Sequence, residues 1–133
     1  MMSEMPDLKP GLKLEKIFYV GEEYTAKFLG SGEVSVLSTP SMIAFMENTA
    51  RLAVEPYLPE GCITVGTMVH VKHVAPAPRG SSIRVQTVLR KIEGRKLVFE
   101  VKAFWRGKVI GEGVHERYIV DRERFLGKVK NLL

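Results

Sequence analysis

The spacing of apolar residues changes character twice along this chain of 133 residues. Leu12 to Val20 and Tyr24 to Leu29 read as two short strands, and Glu33 to Leu37 as a third extended piece. At Ser38-Thr39-Pro40 a helix begins. A hydroxyl side chain can accept from a free N–H of the first turn, and proline lacks the N–H that would go unpaired there. The spacing predicts a helix from Pro40 to about Glu55. On a helical projection Met42, Ile43, Phe45, Met46, Ala50, Leu52, Ala53 and Val54 cover a broad arc, with Asn48, Arg51 and Glu55 opposite. Pro56 and Pro59-Glu60-Gly61 stop it, because proline cannot continue the hydrogen-bond ladder.

After Gly61 the period becomes two. Thr64 to Ala75 alternates, with Val65, Thr67, Val69, Val71, His73 and Ala75 on one face and Met68, His70 and Lys72 on the other. Pro76-Ala77-Pro78-Arg79-Gly80 is a loop. Ile83, Val85, Thr87 and Leu89 mark the next inward face, which turns at Glu93-Gly94. Leu97, Phe99, Val101, Ala103 and Trp105 mark another, which turns at Arg106-Gly107, and Val109 to Val120 is the last strand. The basic tail from Asp121 to Leu133 reads as a short helix. Short strands, one apolar helix and then long hairpin-connected strands describe an α+β fold in which an antiparallel sheet curls around a central helix, the hot-dog arrangement. The arc on that helix is wider than one sheet face can cover. A second copy of the chain is the expected source of the remaining cover, giving a homodimer or higher homo-oligomer.

Composition narrows the class. At 45% hydrophobic and 26% charged residues, the chain suits one domain spanning residues 1–133. No apolar run approaches the roughly 20 residues that cross a bilayer. The opening Met1-Met2-Ser3-Glu4-Met5-Pro6-Asp7 lacks the basic and then apolar order of a secretory signal. The expectation is a cytoplasmic protein without membrane contact. Cys62 is the single cysteine, so no intramolecular disulfide forms, and with three histidines it supplies no zinc-site spacing. Neither a metal nor a cofactor is expected. The net charge of +5 is uneven, with 6 basic and 9 acidic residues in 1–78 against 14 and 6 in 79–133. Most of that basic half alternates with apolar residues, as the solvent side of strands does, and it lacks the paired aromatic and basic strands of an RNA-binding sheet, so no nucleic-acid partner is expected.

Several residues could carry chemistry, and each has a structural alternative. Glu47 borders the helix's apolar arc and could equally be an exposed partner of Arg51. His73 shares an apolar strand face with Val69 and Val71, where a histidine must find a hydrogen-bond partner, whether in a core or in a site. Thr39 is a helix cap or a group that orients a carbonyl or a water at a helix start. Gly66, inside a strand, marks a bulge or the close approach of a ligand, with Thr67 beside it. His70 reads as solvated, His115 is open, and Cys62 reads as a buried apolar residue.

Taken together, Met42-Ile43-Ala44-Phe45-Met46-Glu47, Pro56-Tyr57-Leu58, Val65-Gly66-Thr67, Val71-Lys72-His73, Glu93-Gly94-Arg95 and Gly113-Val114-His115-Glu116-Arg117 resemble the fluoroacetyl-CoA thioesterase family of hot-dog proteins over about residues 38–130. In that family a threonine at the helix start, a glutamate eight residues on and a histidine 26 further form the catalytic set, and Thr39, Glu47 and His73 stand at those intervals. The resemblance implies hydrolysis of an acyl-CoA thioester near a dimer interface, with CoA released and no metal. It makes His73 the candidate base, Glu47 a nucleophile or a group that orients water, and Thr39 and the Gly66 N–H positioning or oxyanion groups. Gly66, Thr67, Arg79 and Arg117 are the candidate substrate-binding positions, and the basic loop around Lys72, Arg79 and Arg84 is a candidate for the CoA phosphates. Eight helical residues advance about 12 Å, so Thr39 and Glu47 of one helix should not touch. Their meeting across substrate or across subunits is the expectation. The family's fluoroacetyl selectivity is linked to an aromatic lid ahead of the helix, whereas Leu29 to Leu37 holds no aromatic residue, so selectivity for that substrate is not expected. A non-catalytic acyl-CoA-binding module and an acyl-thioester hydratase or dehydratase are the rival functions on this fold.

Overall fold

Ser38 caps the central helix, and that frees the residue after it. In the computed structural model, which describes residues 5–133, the Ser38 hydroxyl oxygen accepts from the Ser41 N–H at 3.1 Å. Thr39 and Pro40 occupy the first helical positions, so Thr39 is not the cap and its side chain is available for another partner. The central helix, α2, runs Thr39–Val54; a short helix, α1 (Ala26–Leu29), precedes it, and α3 (Arg122–Lys130) closes the chain. Five strands, β1 (Lys13–Tyr19), β2 (Cys62–His73), β3 (Ser82–Glu93), β4 (Lys96–Trp105) and β5 (Lys108–Asp121), form one sheet in the order β1-β3-β4-β5-β2. Every neighbouring pair is antiparallel.

The sheet's inward faces follow the alternation in β3 and β4. Ile83, Val85 and Leu89, with Leu97, Phe99, Val101 and Ala103, are fully buried against Met42, Phe45, Met46, Ala50 and Val54 of α2. Each such large side chain contributes roughly 1.5–3 kcal/mol by leaving water. β1 covers the other flank of the helix through the stacked rings of Phe18 and Phe45, whose centroids are 4.4 Å apart, and through Lys16, which donates to the Asn48 carbonyl oxygen at 2.7 Å. Asn48 is therefore engaged with β1 rather than grouped with the exposed Arg51 and Glu55. Over β5 the helix comes close because Gly111 has no side chain, and Met42 fills the space a Cβ would need.

Two expectations fail for identifiable reasons. Tyr24–Leu29 is not a strand but a 3-10 turn (Glu22–Tyr24) running into α1. Thr25 caps this helix, accepting from the Phe28 N–H at 3.2 Å, and Gly30 ends it in the left-handed conformation at φ 76°. Of Glu33–Leu37 only Val36 and Leu37 make bridges, to Pro78 and Thr25. The second failure lies in β2. A bulge between Gly66 and Met68 sets Thr67 outside the ladder, so Thr64 and Gly66, not Val65 and Thr67, share the helix-facing side with Val69, Val71 and His73.

Candidate active site

The Thr39 hydroxyl lies 2.8 Å from Nδ1 of His73, joining the first turn of α2 to the last residue of β2. The other ring nitrogen, Nε2, is enclosed and has no hydrogen-bond partner among the described residues. A buried N–H without an acceptor is costly, about 1–3 kcal/mol, which favours the tautomer with the proton on Nδ1, donating to Thr39. Nε2 is then a bare lone pair. Burial lowers the His73 pKa below its ordinary 6.5, with the Ala75 backbone pulling weakly the other way, so the imidazole is neutral at neutral pH. The pair opens on a cavity of about 400 Å³ walled by Val36 and Leu37 on one side and by Val74, Ala75 and Pro76 on the other.

Glu47 stands two turns further along α2, against a different part of the sheet. Its carboxylate rests on Gly66, where an added Cβ would come within 2.7 Å of Oε2. The glycine's missing side chain is thus room for a carboxylate. Arg117 approaches from β5, with Nη1 3.9 Å from the same oxygen, and is only 5% exposed. Its remaining donors are placed. Nε donates to the Thr64 hydroxyl at 2.8 Å, Nη2 to the Thr64 carbonyl at 3.0 Å, and Nη1 faces His115 Nε2 at 3.1 Å. Arginine only donates, so His115 Nε2 accepts, and its proton sits on Nδ1, which donates to the Met68 carbonyl at 2.8 Å. Burial lowers the His115 pKa, the Met68 hydrogen bond opposes this, and Arg117 lowers it further. Burial also pulls the Arg117 pKa down, against the opposing pull of Glu47. The result is a cation fixed under one edge of Glu47 by a neutral histidine and a threonine.

The sequence-derived residues therefore fall into two groups within one chain, Thr39 with His73 and Glu47 with Gly66 and Arg117. Thr67 stands apart on the bulge, exposed, its hydroxyl donating to the Glu116 carbonyl at 3.2 Å. Arg79 lies outside both groups, ion-paired with Glu22 at 2.9 Å. Arg84 is paired with Glu15 and lies over the Phe104 ring. His70 is exposed, and Cys62 is half-buried against the core. Sequence reasoning left His115 open and did not find Thr64, although the alternation of β5 sets Gly111, Gly113, His115, Arg117 and Ile119 on one inward face. A charged residue on that face was the available signal. Among the described residues no group of histidine, cysteine and carboxylate side chains is placed to hold a metal ion, and no helix is long and apolar enough to cross a membrane.

The family model for the fluoroacetyl-CoA-specific thioesterase matches residues 20–123, a span that contains both groups. The chain belongs to the fluoroacetyl-CoA-specific thioesterase family. The fluoroacetyl-CoA thioesterase of Streptantibioticus cattleyicolor is 38% identical over 95 residues, covering 71% of this chain and 68% of that one. The solved structure of the fluoroacetyl-CoA thioesterase FlK superposes with a TM-score of 0.86 at 32% identity, covering 93% of this chain and 96% of the other. Variants of FlK with acetyl-CoA, and with fluoroacetate and CoA, match comparably. A Thermus thermophilus protein described as a thioesterase superfamily member gives a TM-score of 0.89 at 29% identity, over 96% of this chain and 95% of that one. The antiparallel sheet around α2 is the hot-dog fold of this family.

Proposed function

We propose that this protein hydrolyses an acyl-CoA thioester to the free acid and CoA, using Thr39, Glu47 and His73 in a site completed by two copies of the chain. One observation carries the reading: a neutral histidine at the wall of a cavity, oriented through Nδ1 by Thr39, has no hydrogen-bond partner for Nε2 among the described residues. Such a nitrogen can take a proton from attacking water and later return it to the departing thiolate. Family membership supports the same chemistry.

Glu47 cannot join this pair within one chain, because eight helical residues separate it from Thr39 by about 12 Å. Three features support a dimer that closes the gap. β2 is an edge strand of twelve residues, and it carries Val69, 37% exposed, with Val74, 56% exposed, just beyond its end. Long exposed edges of this kind are templates for pairing. On α2, Ala44 is exposed and Ile43 half-buried on the side that carries Glu47. Pairing of two such edges sets the helices side by side, and Glu47 of the partner subunit then meets the carbonyl held at Thr39 and His73. No aromatic ring of the segment ahead of α2 reaches the cavity, which supports acyl groups beyond fluoroacetyl as substrates.

Free-thiol release from a panel of acyl-CoAs tests the proposal. Glu47→Gln and His73→Ala should each lower kcat at least about 100-fold, the usual contribution of a general acid or base, with an unchanged fold. CoA-dependent stabilisation without thiol release from any substrate would leave a binding module instead.

A further inference from the structure

A second cleft, outside the Thr39 and His73 cavity, carries cations that the hydrolysis does not use. One wall is the Pro78–Ser82 loop and the other is the corner between β4 and β5, Trp105 and Arg106, around a volume of about 430 Å³. Arg106 and Gly107 both have positive φ, 51° and 76°. This is the backbone of a two-residue hairpin turn in which asparagine or glycine is preferred at the first position. Arg106 is the one non-glycine residue with positive φ among the described residues, so an arginine stands there against the local preference. Its guanidinium lies over the Trp105 ring, 4.8 Å from the centroid, and it has no carboxylate partner among the described residues. Across the cleft, the exposed Arg79 is ion-paired through Nη1 with Glu22, and its guanidinium has no other side-chain partner among the described residues.

The two cavities are lined by neighbouring residues of one loop. Pro76 lines the first and Pro78 the second, and two residues span at most about 7 Å. The strap between them is held rigidly, Leu37 N–H to the Ala77 carbonyl at 2.8 Å and Arg79 N–H to the Ser35 carbonyl at 3.1 Å. CoA carries a thioester at one end of a long flexible arm and phosphates at the other, so one molecule has groups suited to both cavities.

We propose that this cleft receives the phosphate-bearing nucleotide end of the CoA thioester, with Arg106 and Arg79 as its phosphate-binding cations. The inference rests on the thioesterase reading for the position of the other end. Guanidinium groups suit phosphate because they pair with two of its oxygens at once, and stacking on Trp105 orients Arg106 before the ligand arrives.

The experiment compares the unaltered protein with Arg106→Asn and Arg79→Gln. The first readout is the ratio of kcat/KM for an acyl-CoA to that for the matching acyl-pantetheine, which lacks the nucleotide. Each variant should lower that ratio about tenfold, the scale of one charge-assisted hydrogen bond. The second readout is CoA binding by calorimetry, which does not depend on turnover, and it should weaken by a similar factor. Arg106→Asn should also melt no lower than the unaltered protein, since asparagine suits that turn. Unchanged ratios and unchanged CoA binding in both variants would overturn the proposal. Arginine-dependent CoA binding without hydrolysis of either substrate would sink the thioesterase reading and leave this one standing.

Discussion

Gly66 has a reason to be glycine that lies in another residue's side chain. A methyl group there would press on Glu47 Oε2 at 2.7 Å, while Arg117 Nη1 and His115 Cε1, both at 3.4 Å, would stand near ordinary contact. The tightest of these is the far end of a flexible side chain, which can swing away at little cost to folding. Gly66→Ala should therefore leave the melting temperature within a few degrees while lowering kcat by about 10- to 100-fold, because the carboxylate leaves its position. Equal losses of stability and activity would mean that the glycine serves the backbone instead. His73 makes a second prediction at this scale. As a base it must be neutral, and burial lowers its pKa below 6.5. Thus kcat/KM should stay level from about pH 8 down through the ordinary histidine range and fall only on its acid side, with Thr39→Val shifting the acid limb because the ring loses its hydroxyl partner. A pH–rate profile on both proteins checks this, and a profile that declines already above pH 7 would contradict it.

At the scale of elements, the cap and the hydroxyl that meets His73 are adjacent residues with separate partners. Ser38→Ala removes the acceptor for the Ser41 N–H and should cost about 1 kcal/mol, lowering the melting temperature by roughly 3–6 °C with little change in kcat. Thr39→Val should do the reverse, since the Thr39 hydroxyl holds no helix N–H. From the sequence, Ser38-Thr39-Pro40 announced the helix start but not which hydroxyl capped it, because each stands close enough to Pro40 to do so. β3, β4 and the inward half of α2 were legible throughout, since ten or more residues at one period leave few alternatives. Tyr24–Leu29 was not, because six residues fit either period, and Thr25 with Gly30 as helix boundaries was the local clue. The spacing of Thr39, Glu47 and His73 singled out all three, and the structure brings Thr39 to His73 while leaving Glu47 with Gly66 and Arg117. Thr64, His115 and the burial of Arg117 depend on pairing between β2 and β5, which no single segment encodes.

At the scale of the whole molecule, the unpaired edge of β2 and the bare side of α2 belong to one surface. Ala44→Gln keeps a good helix former at an exposed position, so one chain should fold unaltered. Under the dimer proposal the longer side chain obstructs the helix contact. Sedimentation should then show the mass moving from twice the chain mass toward the single chain, with thiol release falling in step. A folded, active monomer would contradict the composite site. The half-buried His73 and the buried His115 give the molecule an acid weakness. His73 and His115 both have folded-state pKa values below the 6.5 of an open chain, so below that pH the unfolded chain takes up protons that the folded one refuses. Stability should be full above about pH 6.5 and decline as the pH falls from there, which denaturant midpoints at pH 5 and pH 7.5 would reveal.

The bulge at Thr67 also fixes a counting rule. Gly66 and His73 are separated by an odd number of positions, and in an unbroken strand an odd separation sends two side chains to opposite sides. Only the supernumerary residue between them reconciles that separation with a common side. A relative with these two residues six positions apart needs no irregularity, whereas one with seven must break its ladder somewhere between them. In this family the length of the Gly-to-His interval, odd or even, therefore tells a reader whether to look for a bulge before any coordinates exist.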